Sequence, residues 1–458
     1  MPNKSNSRLA ILAAGIVAVG IVSFGPRVGA ARLVSIQETP LGDMCALPEA
    51  PSMTRAEWLE QWQQDQMVLQ QPAFRPTGLL AALAQGVPER QTTPERRRVE
   101  QLPALREITR KPEPRILGDT YPTFTAIGVF APLNQIVIQD NNLWSTWIFN
   151  RTDNSAAPTA PPTKPKRIIQ GDDTHIQFNN GIYIDQENGD IYSVESDTGD
   201  KMLVFSVEAG GNATPKRLLH TPHRVYGIGV DEARDDIYVT VENPAEIVIY
   251  KKGAQGEDQP TRRIAGPRTE LHAPHGIVVD EKNQLLYVNH WGQAADFRTP
   301  GTGQFLEAAI NVYPLGADGD VAPIRVISGS RTQLNWPGNM ALDKATGDLF
   351  VANDMGQSVL VFTGMAYARG NVPPTRVIKG DRTKLLNPTG VAVDHENKEL
   401  WVSNLGSASA VAFPLNANGN VAPLRVIRAA PDGHRNLTFG RTTAVVYDSN
   451  REEILTPN

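Results

Sequence analysis

One phrase recurs along this chain. It reads KRIIQGDDTHIQFNNGIYIDQENGDIYSVES from Lys166, RRIAGPRTELHAPHGIVVDEKNQLLYVNH from Arg262, RVISGSRTQLNWPGNMALDKATGDLFVAND from Arg325 and RVIKGDRTKLLNPTGVAVDHENKELWVSN from Arg376. A shorter copy starts at Lys216 and a degenerate one at Arg115. The recurring aspartates Asp185, Asp231, Asp280, Asp343, Asp394 and Asp448 stand 46, 49, 63, 51 and 54 residues apart. A period of about 50 residues with several short strands per copy belongs to a propeller or a solenoid, because one copy cannot bury its own faces.

Each copy divides into four strand-like pieces. Around Asp394 they are TGVAVD, ELWVSN, AVAFPL and PLRVI, rich in β-branched and aromatic residues. The connectors HENK, LGSAS and NANGNVAP are turn chemistry, and the 38 glycines and 35 prolines of the chain supply it throughout. The predicted fold is all-β, a propeller of four-stranded blades with small innermost strands and short protected edges. Innermost strands are countable at TAIGVF, GIYID, YGIGVD, GIVVD, GNMALD, GVAVD and TAVVYD. That predicts seven blades, with six as the competing count if the terminal set is decorative. The chain stops soon after EILTP, so the seventh blade needs outer strands from elsewhere, and residues 114–118 with ALREITR from Ala104 are the available ones. The expectation is a ring over 104–458, sealed by N-terminal strands.

A Pro, then GVAVD, a turn, an aromatic-Val-x-Asn strand and VFPL together resemble the NHL-repeat propellers over residues 115–458. The resemblance implies the fold and leaves function open, since similar propellers include gluconolactonase-like metal hydrolases, amidating lyases and exported proteins that only bind partners.

Ahead of the repeats, Lys4 and Arg8 precede an uncharged apolar run, LAILAAGIVAVGIVSFG, from Leu9 to Gly25, followed by small residues at 29–31. Residues 1–31 thus read as an export signal or, uncleaved, as an N-terminal membrane anchor through 9–25. Either places the rest of the chain in the periplasm or outside the cell. Residues 32–103 read as a helical preface: Thr54 and Glu57 form a capping box, Trp58 and Trp62 stack one turn apart, and Pro72 and Pro76 end the helix. The single cysteine, Cys45, excludes an internal disulfide and Cys-clustered metal sites. A net charge of −5 provides no field for nucleic acid.

In such a blade the loops before the first strand and after the second share one mouth of the central channel. Those loops collect six of the eight histidines: His175, His220, His223, His272, His275 and His290. His223 and His275 occupy matching places before innermost strands. Trp291, Asn353, Asp354 and Asn404 follow second strands on the same side, as candidate ligand contacts, and Glu195 ends the second strand of its blade. His223, His275, His290 and Glu195 could hold Zn²⁺ or Ca²⁺, which would polarise an ester or activate water. The competing reading makes the polar residues fasteners of loop backbone. The recurring aspartates are structural on the same argument, and His395 and His434 are surface residues. Between Asp280 and Asp343 the blade carries a surplus, residues 292–309, bearing Phe297, Arg298 and Phe305, which overhangs this mouth. No GxSxG, P-loop, GxGxxG or HExxH occurs. The expected function is binding at the mouth, of a protein, glycan or small molecule. The alternative is a metal-dependent lactonase, esterase or lyase with its site in the channel.

Overall fold

The computed structural model describes residues 120–294, 304–436, 446–448 and 453–455, without the side chains of 293–305 or beyond 436. All of them belong to the compact unit Glu49–Asn458. The apolar run, the helical preface and the strands expected at 104–118 lie outside the described residues, as do Phe297 and Arg298.

Six antiparallel sheets of four strands are described, each built from consecutive sequence. Blade one holds β1 (Phe124–Phe130), β2 (Gln135–Asp140), β3 (Ser145–Asn150) and β4 (Arg167–Gln170). Blade two holds β5 (Phe178–Ile184), β6 (Asp190–Ser196), β7 (Lys201–Ser206) and β8 (Arg217–His220). Blade three holds β9 (Val225–Asp231), β10 (Asp236–Val241), β11 (Glu246–Lys251) and β12 (Arg262–Ala265). Blade four holds β13 (Pro274–Asp280) and β14 (Leu285–His290); β15 (Gln293–Ala294) and β16 (Gln304–Phe305) then pair as a ribbon before β17 (Ala309–Pro314) and β18 (Arg325–Ser328) complete it. Blade five holds β19 (Pro337–Leu342), β20 (Leu349–Asn353), β21 (Ser358–Phe362) and β22 (Arg376–Lys379). Blade six holds β23 (Pro388–Asp394), β24 (Glu399–Asn404), β25 (Ser409–Pro414) and β26 (Arg425–Arg428).

Strand alternation turns these sheets into a ring. Side chains of a strand point to opposite faces in turn, so a blade buried on both faces feeds two cores. Leu286 and Val288 of β14 join the core shared with blade three, whereas Leu285 and Tyr287 join the one shared with blade five. Leu400 and Val402 of β24 face blade five, and Trp401 between them faces blade one. Six apolar cores result, one at each junction, and the last joins Phe124, Ile136 and Ile138 to Trp401, Ala410 and Ile427.

The predicted seventh blade is therefore corrected. Among the described residues, TAVVYD and EILTP supply a two-stranded hairpin, β27 (Val446–Asp448) with β28 (Glu453–Leu455). Blade one, complete with its own four strands, packs directly on blade six. A Cβ placed on Gly390 would lie 2.9 Å from the Ala126 Cα, and Thr389 Oγ1 donates to Thr125 O at 2.8 Å. No room is left there for another sheet.

The repeated residues fasten the ring. A glycine in the connector before each fourth strand pairs with the outer strand of the preceding blade: Gly211 with Ile169, Gly256 with Leu219, Gly319 with Ile264, Gly419 with Ile378. At the closure Ser155 takes this part, its N donating to Val426 O at 2.7 Å. In blades one to five the arginine opening the outer strand reaches the next blade. Arg262 Nη1 donates to Leu315 O and Ala317 O, both at 3.0 Å, and its guanidinium lies 5.6 Å from the Tyr238 ring centre. Arg376 repeats this with Leu415 O, Ala417 O and Phe350. The recurring aspartates tie the turn after the innermost strand: Asp185, Asp280 and Asp394 accept from the backbone N–H of Glu187, Asn283 and Asn397.

Candidate functional site

The topology puts the starts of β5, β9, β13, β19 and β23 and the ends of β6, β10, β14, β20 and β24 on one face, as the sequence implied. Every inner strand carries a register shift near its start, where a bulge breaks the regular pairing. The residue just ahead of it is left-handed in four consecutive blades: Arg224 (φ 64°), Ala273 (49°), Trp336 (52°) and Asn387 (48°). Asn tolerates that conformation; Arg and Trp are unusual there, and such departures concentrate at functional sites.

Several predicted site residues act as loop fasteners. Asn353, at the end of β20, accepts from Asn335 N at 2.7 Å and donates to Gln333 O and Ser358 Oγ, both at 3.0 Å. Asn404 makes the same set with Leu386 N, Lys384 O and Ser409 Oγ. Asp354 accepts from Asn387 Nδ2 at 2.8 Å and ties the blade five loop to blade six. Glu195 is fully buried, accepting from Gln177 N at 2.8 Å and from Ser193 Oγ. Its carboxyl is pushed up to about 7 by that burial, against the pull of the two hydrogen bonds.

The histidines are separated in role. The register aligns Val225 with Pro274, opposite Val241 and His290, so His223 corresponds to His272, and His275 to Tyr226. The expected matching of His223 with His275 is corrected by this three-residue offset. His223 is exposed and pairs through Nδ1 with Asp200 Oδ1 at 2.9 Å. His275 is buried, its Nδ1 donating to Ala273 O at 2.9 Å. His290 stands where Asn353 and Asn404 stand in blades five and six, opposite Ala309 instead of a serine. Its ring meets His272 edge-on at 5.5 Å, and its Nδ1 finds no hydrogen-bond partner. Among the described residues no three His, Cys, Asp or Glu side chains gather as metal ligands. On the opposite face His395 pairs with Asp343, while His434 packs on Tyr121, ahead of β1.

Burial lowers the His290 imidazole to about 3, with neighbouring His272 acting in the same direction. The native state therefore binds fewer protons here than the unfolded chain. Stability from this site is complete above about 6.5 and is lost as pH falls toward 3, at up to about 1.4 kcal/mol per pH unit. Glu195 works oppositely, its contribution complete below about 4.5 and lost as pH rises through about 7. His290→Asn, which installs the fastener of the next two blades, is expected to flatten the acid-side decline. Urea midpoints measured from pH 7 to pH 4 check it; a variant as acid-sensitive as the parent would refute the assignment.

What the mouth does assemble is a run of rings. Tyr226 meets His275 at 4.1 Å, His275 stacks on Trp291 at 3.6 Å and 10°, and Trp291 stacks on Trp336 at 4.6 Å and 23°. Trp291 Nε1 donates to Pro337 O at 3.0 Å, fixing the indole across the junction of blades four and five. The run crosses blades three to five beside the base of the insertion, where Leu306 N donates to Gly292 O. Trp144 and Met355, each about half exposed, stand on loops of the same face. Tyr226 and Trp336 escaped the sequence reading; the available signal was an aromatic beside the first residues of an innermost strand, in line with His275.

Deeper in the channel, Asn339 Nδ2 of blade five donates to Asn180 O of blade two at 3.2 Å. Those blades face each other across a ring of six, so one amide side chain spans the axis.

No family model matches the sequence, and no curated protein matches it. Among solved structures the chain is similar to one in the nidogen/laminin complex, at 17% identity and a TM-score of 0.39, covering 64% of this chain and 89% of that one. It is also similar to one in Kuenenia stuttgartiensis hydrazine synthase, at 11% identity and a TM-score of 0.44, covering 66% of this chain and 80% of that one.

Proposed function

We propose that this chain is an exported or membrane-tethered propeller of NHL type that binds a protein, glycan or small molecule at the mouth formed by its inner-strand starts and second-strand ends. The observation that carries this reading is the ring run Tyr226–His275–Trp291–Trp336, contributed by three successive blades and ending on a left-handed tryptophan. A fold needs no such run, since the six apolar cores are already complete without it. Aromatic side chains bring large contact area at small entropic cost, which suits them to anchor a ligand. The blade four insertion beside it is a long loop on a rigid scaffold, the usual carrier of recognition. Export rests on Lys4, Arg8 and the apolar run behind them. The alternative, a metal-dependent lactonase, esterase or lyase, would need donors that converge, and His223, His275, His290 and Glu195 have separate partners or neighbours.

The test is capture from an envelope extract and on a glycan array, with Trp291→Ala/Trp336→Ala compared with Lys344→Ala on the opposite face. Species held by the parent and by Lys344→Ala should fall at least tenfold with the tryptophan pair. Equal capture by all three proteins would dispose of the mouth as the binding face.

A further inference from the structure

The outer rim where blade four meets blade five departs from the repeat in three places. The connector from β21 to β22 runs beside β18. Arg325 Nη2 donates to Met365 O at 3.4 Å, Gly370 N to Val326 O at 2.7 Å, and Arg331 N to Asn371 Oδ1 at 2.7 Å. Gly370 is the connector glycine of blade five, matching Gly211, Gly256, Gly319 and Gly419. Three residues before it, Tyr367 stands where the sister blades have Glu208, Gly253, Gly316 and Asn416. One residue before it, Arg369 stands where they have Gly210, Gln255, Asp318 and Asn418. A blade therefore needs neither a ring nor a cation at these places. Yet Tyr367 is 84% exposed, more than any other large apolar side chain among the described residues. Ile324, just ahead of β18, is about half exposed.

The third departure is a missing carboxylate. The arginine opening the outer strand is answered in blade three by Asp236 at 2.9 Å and in blade five by Asp348 at 2.8 Å. In blade four Leu285 fills that place, opposite Asp280 as Asp236 is opposite Asp231. Arg325 Nε is left buried without a hydrogen-bond partner. Segments 324–333 and 364–372 hold Arg325, Arg331 and Arg369 and contain no Asp or Glu. Glu307 meets them at Ser328 Oγ, 3.3 Å away, but among the described residues no carboxylate pairs with any of the three guanidiniums. Positive charge thus collects here on a chain whose net charge is −5.

We propose that this rim docks an acidic segment of a partner protein, with its carboxylates on Arg331 and Arg369 and an apolar side chain against Tyr367 and Ile324. Tyrosine and arginine are among the side chains that dominate protein interfaces, and a guanidinium can take a carboxylate through two parallel hydrogen bonds. The apolar pair favours a protein over a sulfated sugar, which would use the cations and leave Ile324 uncovered. The rim lies at the outer strands and the ring run at the inner-strand starts, so neither role depends on the other.

Fluorescence anisotropy on the full chain tests it with three labelled probes. They are a blocked dodecapeptide of alternating Glu and Leu, one of alternating Glu and Ser, and a sulfated hexasaccharide. Saturable binding of the Glu/Leu peptide is expected, at least tenfold tighter than that of the Glu/Ser peptide and weakening severalfold as salt rises. Arg331→Glu/Arg369→Glu should weaken it at least tenfold and Tyr367→Ala severalfold. All three side chains are exposed, so urea midpoints should not move. Arg268→Glu, the same place one junction earlier, should leave binding unchanged. No saturable binding, equal affinity for the Glu/Ser peptide, or tighter binding of the sugar would overturn the proposal. So would indifference to both rim variants. Loss of peptide binding in Trp291→Ala/Trp336→Ala would move the contact to the mouth and overturn the rim as well.

Discussion

Replacing Arg428 with alanine is expected to lower stability by about 2–3 kcal/mol, the scale for losing the hydrogen bonds of a buried charged group. Arg428 ends the outermost strand of blade six and is 5% exposed. Its Nε donates to Ser155 O at 3.0 Å, and its Nη2 to Ala157 O at 3.1 Å and Ala160 O at 2.7 Å. Those three carbonyls belong to the blade one connector, and Nη1 reaches Ala430 O at 3.3 Å. One guanidinium thus stitches the last blade to the first, and alanine would strand four acceptors at the only junction whose partners are far apart in sequence. A lower urea midpoint with unchanged cooperativity is the expected record, with faster amide exchange in blades one and six. Arg428→Lys should recover only part, since a single ammonium cannot span the same carbonyls. A midpoint shift worth less than about 1 kcal/mol would show that closure is held elsewhere.

Gly227→Ala is the second large effect, expected at about 3 kcal/mol or more, at the upper end for overpacking. A Cβ on Gly227 would sit 2.1 Å from His275 O, which is backbone of the neighbouring inner strand and cannot swing aside. Gly181 meets Tyr226 O in the same way, and Gly276 meets Gly338 O. Two residues further along β9, a Cβ on Gly229 would lie 3.3 Å from a Val279 methyl, so Gly229→Ala should cost well under half as much. Equal losses from the two alanines in chemical denaturation would contradict the close approach of inner strands.

These same glycines show how much of the fold was legible. The phrase GVAVD announced a small, crowded innermost strand, and its period announced four-stranded blades with their turns. Blade number was harder, because TAVVYD carries the inner-strand pattern while the described residues give it a single partner strand. What excluded a seventh sheet is the meeting of Gly390 with Ala126, a contact between residues 264 positions apart (390 − 126) that no local pattern encodes. The site was legible in part. The mouth and its histidines followed from topology, and the fastening role of Asn353 and Asn404 was one of the two readings the residues allowed. Pairings set by neighbouring blades were hidden: His275 with Trp291, Trp291 with Trp336, Arg224 with Asp197 and Glu242. Each depends on side chains from different copies meeting across a junction, where the repeat specifies backbone and leaves the tips free to vary.

The amide that reaches from Asn339 to Asn180 makes the ring a cup with a floor. A molecule settling among the rings would meet that amide on the axis, so the strap between opposite blades limits how deep it can sink.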